Sequence, residues 1–305
     1  GNWVTGSRVR IPHSPPDLNF NIMKNNKLTN FLKGFSVEVT PRAASKIENF
    51  SDLIPKGTLV YIAHIEGTPI EDMVETAKKI NDQGYSPMPH FPARIIKNKQ
   101  TLQDWISRYK NEANVDNALL IAGGSNKPHG DFDSSIQLIE SELFDMAGFK
   151  NLHIAGHPEG NKDIDNDGTT NNIDKALSWK NEFSNRTDAT MAITTQFCFD
   201  SKTVIDWANA VKNNGIDLPI HIGIAGPAKL QTLLKYSLEC GVGASIKILQ
   251  KRAMDLTKLL LPYKPTQILS ELAEYKHNNP DFNIEKVHFF PLGGVKQVSR
   301  FVEES

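Results

Sequence analysis

Polar and glycine residues recur at the ends of short β-rich runs in this chain: Glu38, His64, His90, Gly123 with Gly124, His157, Gln196, Gly223 with Gly226, and Gly293 with Gly294. Glu38 stands in Phe35-Ser36-Val37-Glu38-Val39-Thr40-Pro41. With the two-residue period of a strand, Phe35, Val37 and Val39 share one face, and Ser36, Glu38 and Thr40 share the other. If that second face points into a closed interior, burial raises the carboxyl pKa toward neutrality, which suits a general acid. A salt-bridged structural glutamate is the competing reading. Gln196, in Ile193-Thr194-Thr195-Gln196-Phe197-Cys198-Phe199-Asp200, carries a neutral amide that can donate to and accept from a planar heterocycle, or simply cap a turn.

Leu119-Leu120-Ile121-Ala122-Gly123-Gly124-Ser125-Asn126-Lys127-Pro128 runs from an apolar strand into a glycine-rich loop. Such a loop lets backbone N–H groups approach a phosphate or a flat ring, although it is neither a P-loop nor a dinucleotide fingerprint. His90 and His157 each follow a strand without a metal-ligating partner at close spacing, so zinc is the weaker reading and no metal is assigned. The run Asp163-Ile164-Asp165-Asn166-Asp167-Gly168-Thr169-Thr170-Asn171-Asn172-Ile173-Asp174 has calcium-loop spacing, with Asp174 where glutamate is usual. A solvated acidic loop capping the helix that starts near Ile173 explains the same residues.

These groups need a frame that gathers them. Eight candidate strands are legible: Phe35–Thr40, Leu59–His64, Ser86–His90, Ala118–Ala122, Leu152–Ala155, Met191–Gln196, Ile220–Ile224 and Val287–Pro291. Helical patterns lie between them at Ile70–Asp82, Leu102–Lys110, Ser134–Phe149, Ile173–Phe183, Lys202–Asn213 and Ala228–Cys240. Ala244–Leu261 and Thr266–Lys276 read as two more helices, one beyond what plain alternation requires. Alternating strands and helices imply a parallel sheet, and eight such units imply a single (β/α)₈ barrel with an extra helix before the last strand. In that architecture functional groups collect at the C-terminal ends of the strands.

The 305 residues suit one such barrel. Hydrophobic residues make up 39%, charged residues 23%, and the net charge is −1 with no basic stripe, which argues against a nucleic-acid partner. No apolar run approaches the roughly 20 residues that cross a bilayer. Two cysteines make no disulfide framework and suit a cytoplasmic protein. Residues 1–22 show no period and contain Pro15-Pro16; we expect them to be a disordered added extension ahead of a native start at Met23, with 23–305 forming the barrel.

Taken together, the motifs resemble the methylenetetrahydrofolate reductase family from about Gly34 to Val302 in order and spacing. The Phe-x-x-Glu first strand is similar to that family's catalytic glutamate strand, and Pro89-His90-Phe91 to its third-strand Pro-His motif. Gly123–Pro128 is similar to its glycine-rich loop, His157-Pro158-Glu159 to its Tyr-Pro-Glu, and Leu177-Ser178-Trp179-Lys180 to its Leu-x-x-Lys helix. Thr195-Gln196-Phe197-Cys198-Phe199-Asp200 resembles its Thr-Gln-Phe-Phe-Phe-Asp, the most specific match.

The resemblance implies a flavin-dependent oxidoreductase of one-carbon metabolism that interconverts 5,10-methylenetetrahydrofolate and 5-methyltetrahydrofolate with NAD(P)H and FAD. Glu38 would be the acid at N10, and Gln196 and Gln231 would contact substrate. His64, His90, Gly123, Gly124, His157 and Lys180 would hold the cofactor. The family also suggests a homo-oligomer, although no apolar stripe in the sequence marks an interface. Ala122-Gly123-Gly124 and Leu292-Gly293-Gly294 depart from the family's Arg-Gly-Asp and Leu-Asn-Arg, removing two charged contacts. The alternatives are a barrel enzyme that binds folate without flavin, and a folate- or flavin-binding subunit of a methyl-transfer or demethylation pathway.

Overall fold

The computed structural model describes residues 26–240, 248–250 and 262–305. Eight parallel strands close into a barrel in sequence order: β1 (Ser36–Val39), β2 (Leu59–Ile62), β3 (Ser86–Pro92), β4 (Asn117–Ile121), β5 (Asn151–Gly156), β6 (Thr190–Thr195), β7 (Ile220–Ala225) and β8 (Ile284–Phe290). Closure is made by β1 against β8, with Ser36 opposite His288 and Val37 opposite Phe289. The chain is a (β/α)₈ barrel.

Among the described residues, the helices with both ends defined are α1 (Pro41–Ala44), α2 (Ile70–Asp82), α3 (Lys99–Ala113), α4 (Ser135–Glu140), α5 (Leu143–Met146), α6 (Asn171–Phe183), α7 (Ser201–Asn213), α8 (Leu230–Glu239), α9 (Thr266–Asn278) and α10 (Val295–Glu303). Their starts follow local chemistry. Asn98 accepts from Thr101 N at the head of α3, and Asp200 accepts from Thr203 N at the head of α7, each satisfying a backbone donor that the first turn leaves free. In α2, Met73, Val74, Ala77 and Ile80 form the buried stripe that faces the strands. Both α8 and α9 precede β8, which supplies the extra helix. The expected Ala244–Leu261 helix lies outside the described residues apart from 248–250, as do residues 1–22 and Met23.

One helix departs from the sequence expectation. Ser134–Phe149 is two helices, broken at Glu142, whose φ is 60°. The Ser141 hydroxyl donates to Leu138 O and accepts from Leu143 N, so it takes over backbone bonding that a continuous helix would have made.

The large apolar core lies between strands and helices. Phe35, Val37 and Val39 of the first strand segment belong to it, as do Val60, Ile62, Phe91, Leu152, Ile154, Ile220, Ile222, Val287 and Phe289. The alternate residues point to the barrel axis, and there the contents are largely polar: Tyr61, His90, His153, Thr194, His221 and His288 are all buried. This departs from the branched aliphatic layers usual inside such barrels.

Two strands approach so closely at one point that only glycine fits. A Cβ on Gly223 would lie 2.3 Å from Thr195 O, which is backbone and cannot move aside. A Cβ on Gly124 would meet nothing within 4 Å, and its φ is ordinary. Gly223→Ala is therefore expected to lower unfolding stability by about 1–3 kcal/mol, as overpacking does, and Gly124→Ala to change it by less than about 0.5 kcal/mol. Urea unfolding of the two variants beside the parent protein measures this.

Candidate functional site

Glu38 is the penultimate residue of β1, and its carboxylate meets two imidazoles. Oε2 lies 3.2 Å from His90 Nε2 on β3 and 3.8 Å from His288 Nε2 on β8. Both Nε2 atoms are buried, and these approaches to the carboxylate are the polar contacts they make. His288 is locked from its other side, where Nδ1 is 2.9 Å from Ser36 Oγ. Glu38 and His90 keep 18% and 10% of their side chains exposed, whereas His288 has none, so the first two reach the mouth and the third supports them from below.

The electrostatics reverse the sequence expectation for Glu38. Burial alone raises its pKa, but the charge of His90 and hydrogen bonding from His288 and His90 outweigh burial and hold the carboxyl at about 2. It is a carboxylate at neutral pH and not a carboxyl poised to give up a proton. The nearby imidazoles are invisible to a one-strand argument because they arrive from β3 and β8.

Beneath this pair lies a second polar group that sequence reasoning missed. Tyr61 OH is 2.6 Å from His153 Nδ1, 2.9 Å from Thr194 Oγ1 and 3.4 Å from His221 Nδ1. The Tyr61 ring packs on His288, 4.2 Å between centroids. Burial, the Lys286 ammonium and His288 push His221 down to about 3, burial and the neighbouring His221 lower His153 well below the imidazole range, and burial raises the Tyr61 phenol. These residues keep one another satisfied as neutral groups. A signal did exist: Leu152-His153-Ile154, Ile220-His221-Ile222 and Val287-His288-Phe289 each place a histidine between two core residues.

The remaining candidates are distributed around the same end of the barrel. His64 follows β2, stacks 4.9 Å from Trp105 and has Nε2 3.0 Å from Thr68 O, while its Nδ1 is buried without a partner. Gly123 follows β4 with φ 96°, and a Cβ there would sit 2.9 Å from Pro92 Cβ, so this glycine answers to backbone geometry. Gly293 is just as constrained, with Pro227 O 2.1 Å from where a Cβ would be. Gly124 has open space instead.

Arg94 fastens the loop after β4, donating to Asp133 O and Oδ1 and to Ser125 O. Lys180 on α6 is buried and, among the described residues, has no hydrogen-bonding partner; burial lowers its pKa to about 8. His157, after β5, is pushed down to about 4 by burial and by the Lys180 charge. Gln196 turns its Oε1 to Phe197 N at 3.0 Å, the turn-capping role, which leaves its amide nitrogen to donate. Gln231 is exposed in the first turn of α8. On one side of the mouth Phe197, Phe199, Phe290 and Tyr263 form an aromatic wall, with Phe197 5.3 Å from Phe290 and Phe199 5.3 Å from Tyr263.

The acidic loop is a capping structure. Asp165 is buried and accepts from Asn172 N and Ile173 N at the start of α6, Asp167 accepts from Thr169, and Asp174 accepts from Thr170. Among the described residues no group of three or more His, Cys, Asp or Glu is arranged to hold a metal ion. Both cysteines are free, Cys198 buried and Cys240 exposed. No helix among the described residues is long and apolar enough to cross a membrane.

No protein-family model matches the chain. Among solved structures the chain is similar to the carboxyl transferase domain from Rhizobium etli pyruvate carboxylase with pyruvate, with 10% sequence identity and a TM-score of 0.42, covering 96% of this chain and 59% of that one. So distant a likeness carries no argument about the site.

The buried imidazoles make a prediction about acid stability. His221 and His157 are neutral in the folded protein and titrate near 3 and 4, against 6.5 for a free imidazole. The unfolded chain therefore binds more protons below pH 6.5, and stability falls from there as pH drops toward 3. Glu38, lowered from 4.5 to about 2, adds a further loss between those values. Replacing His221 with Asn should remove part of the slope between pH 6.5 and 3, on the order of 1–3 kcal/mol. Urea unfolding at a series of pH values checks it, and an unchanged slope would contradict a neutral buried His221.

Proposed function

We propose that this chain is a flavin-dependent oxidoreductase of one-carbon metabolism, interconverting 5,10-methylenetetrahydrofolate and 5-methyltetrahydrofolate with NAD(P)H. The observation that carries the reading is the placement of Glu38. The residue on which the family resemblance puts the acid reaches the mouth of the barrel, gripped by two imidazoles. The motif residues His90, Gly123, His157 and Gln196 come from the ends of other strands around that mouth.

The side chains suit a flavin dinucleotide. Lys180 is a buried cation without a partner among the described residues, which matches a diphosphate. His64 Nδ1 is a buried nitrogen in want of a partner. Gly124 leaves space beside the loop for a flat ring. His64, His90, Gly123, Gly124, His157 and Lys180 would hold FAD, which when bound supplies hydride transfer between NAD(P)H and the folate.

The protein's own residues contribute orientation and proton handling. The aromatic wall of Phe197 and Phe290 offers flat apolar surface and excludes water. Gln196, with its oxygen committed to Phe197 N, presents N–H to an acceptor on a heterocycle. Glu38 would pass a proton to the bridging nitrogen, whose protonation opens the five-membered ring. The glycines at 123–124 and 293–294 leave the substrate's polar edge to neutral partners such as Ser125, Asn126 and Gln231.

Three measurements test this reading. Purified protein should take up FAD, show flavin absorbance and bleach on mixing with NADH or NADPH; a folded protein that stays colourless after incubation with FAD would refute the flavin assignment. Calorimetry should show micromolar binding of methyl- or methylenetetrahydrofolate, and a folded protein with no binding at millimolar folate would refute the substrate. Glu38→Gln should slow the folate half-reaction by roughly 10²–10⁴, the usual worth of a general acid. NAD(P)H oxidation, which needs no proton at N10, should change only a few-fold, and stopped-flow traces of the two half-reactions separate these effects.

A further inference from the structure

Glu38 raises a problem for any reaction that consumes a proton at this mouth. A carboxylate this firmly held is empty of a proton at neutral pH, so it can pass one on but cannot store one. Its neighbours can. His90 Nε2 is buried, lies 3.2 Å from Glu38 Oε2, and belongs to a side chain still 10% exposed. His288 approaches the same oxygen at 3.8 Å but is wholly buried and tied by Nδ1 to Ser36 Oγ. Of the two rings only His90 keeps any exposure at the mouth, with its Nε2 turned away from water toward Glu38, and His288 is placed to hold the carboxylate still.

We propose that His90 and Glu38 act as an imidazolium–carboxylate pair in which His90 stores the proton delivered to substrate, with His288, fixed by Ser36, as the positioning residue. The proposal rests on the folate reading for its substrate. The N–H bond at His90 Nε2 breaks as an O–H bond forms at Glu38 Oε2. The same carboxyl gives its proton to the substrate nitrogen as the ring C–N bond breaks, and the bonding pair stays on nitrogen. Glu38 ends as a carboxylate and His90 as a neutral imidazole, which water reprotonates. The other titratable groups around the pair are Tyr61, whose ring is 6.3 Å from His90, and His64 and Cys240, which His90 and Glu38 influence through charge.

The test uses the full chain and two readouts. In protein labelled with ¹³C at glutamate carboxyls and free of flavin, Glu38 should still be a carboxylate at pH about 4.3, where an ordinary glutamate is half protonated. In His90→Gln it should be mostly protonated there. In enzyme loaded with saturating FAD and reduced beforehand, His90→Gln should slow single-turnover folate reduction at least 100-fold and abolish the fall in rate at high pH that marks loss of the stored proton. His288→Gln should change the rate less and keep that high-pH limb.

An unmoved Glu38 titration in a folded His90→Gln protein, or a wild-type rate with the wild-type pH limb, would overturn the pair. If Glu38 responds to His90→Gln while the wild-type protein reduces no folate, the pair stands and the folate reading falls. Should His90→Gln not fold, His90→Asn carries the same measurements.

Discussion

A carboxylate taken out of water costs several kcal/mol unless opposite charge and donors replace the solvent. Glu38 meets that constraint only because β3 and β8 bring His90 and His288 to the same oxygen. β8 is a neighbour of β1 only through barrel closure, so the pairing of Ser36 with His288 is at once the seam of the sheet and the support of the site. Opening the seam would leave the carboxylate with half of its compensation. The architecture and the electrostatics of the mouth are in this sense one interaction.

The interior below the mouth obeys the same rule with neutral groups. Tyr61, His153, Thr194 and His221 fill space that branched aliphatic side chains usually occupy, and each finds its partners inside the cluster. Removing one member leaves buried polar atoms unsatisfied, which costs more than the missing bond contributed. The cluster also stacks on His288 through Tyr61 and so limits how far the supporting imidazole can tilt. Packing in the barrel interior and orientation at the mouth are coupled.

The mouth itself is asymmetric. Phe197, Phe199, Phe290 and Tyr263 make an apolar wall on the β6–β8 side. On the β4 side a loop held down by Arg94 presents backbone, Ser125 and an open position at Gly124. The glycines at this end of the barrel are not equivalent. Gly293 is demanded by the backbone of Pro227, and Gly123 by its positive φ and by Pro92, whereas Gly124 is under no such demand.

Much of this was legible in the residues alone. Hydrophobic periods of two and of 3.6 are local, so all eight strands and most helices could be read within a few residues of their observed ends, and the eightfold alternation implied the barrel. Polar residues at strand ends marked the mouth for the same reason. Ser141 and Glu142 split a helix that periodicity made continuous, because a side chain's competition for backbone bonds leaves the apolar pattern unchanged.

What the sequence could not contain was the protonation of Glu38. Its pKa depends on groups 52 and 250 positions away in the chain, brought to 3.2 and 3.8 Å by closure of the sheet. Reading one strand supplies only the burial that raises the value, and the folded barrel adds the two imidazoles that lower it. The carboxylate of Asp165 and the oxygen of Gln196 were settled in the same way: spacing named the groups, and only the folded backbone showed which N–H each one faces. Local pattern determines where side chains lie along an element, but charge state and hydrogen-bond partners are set by through-space distances that only the tertiary structure defines.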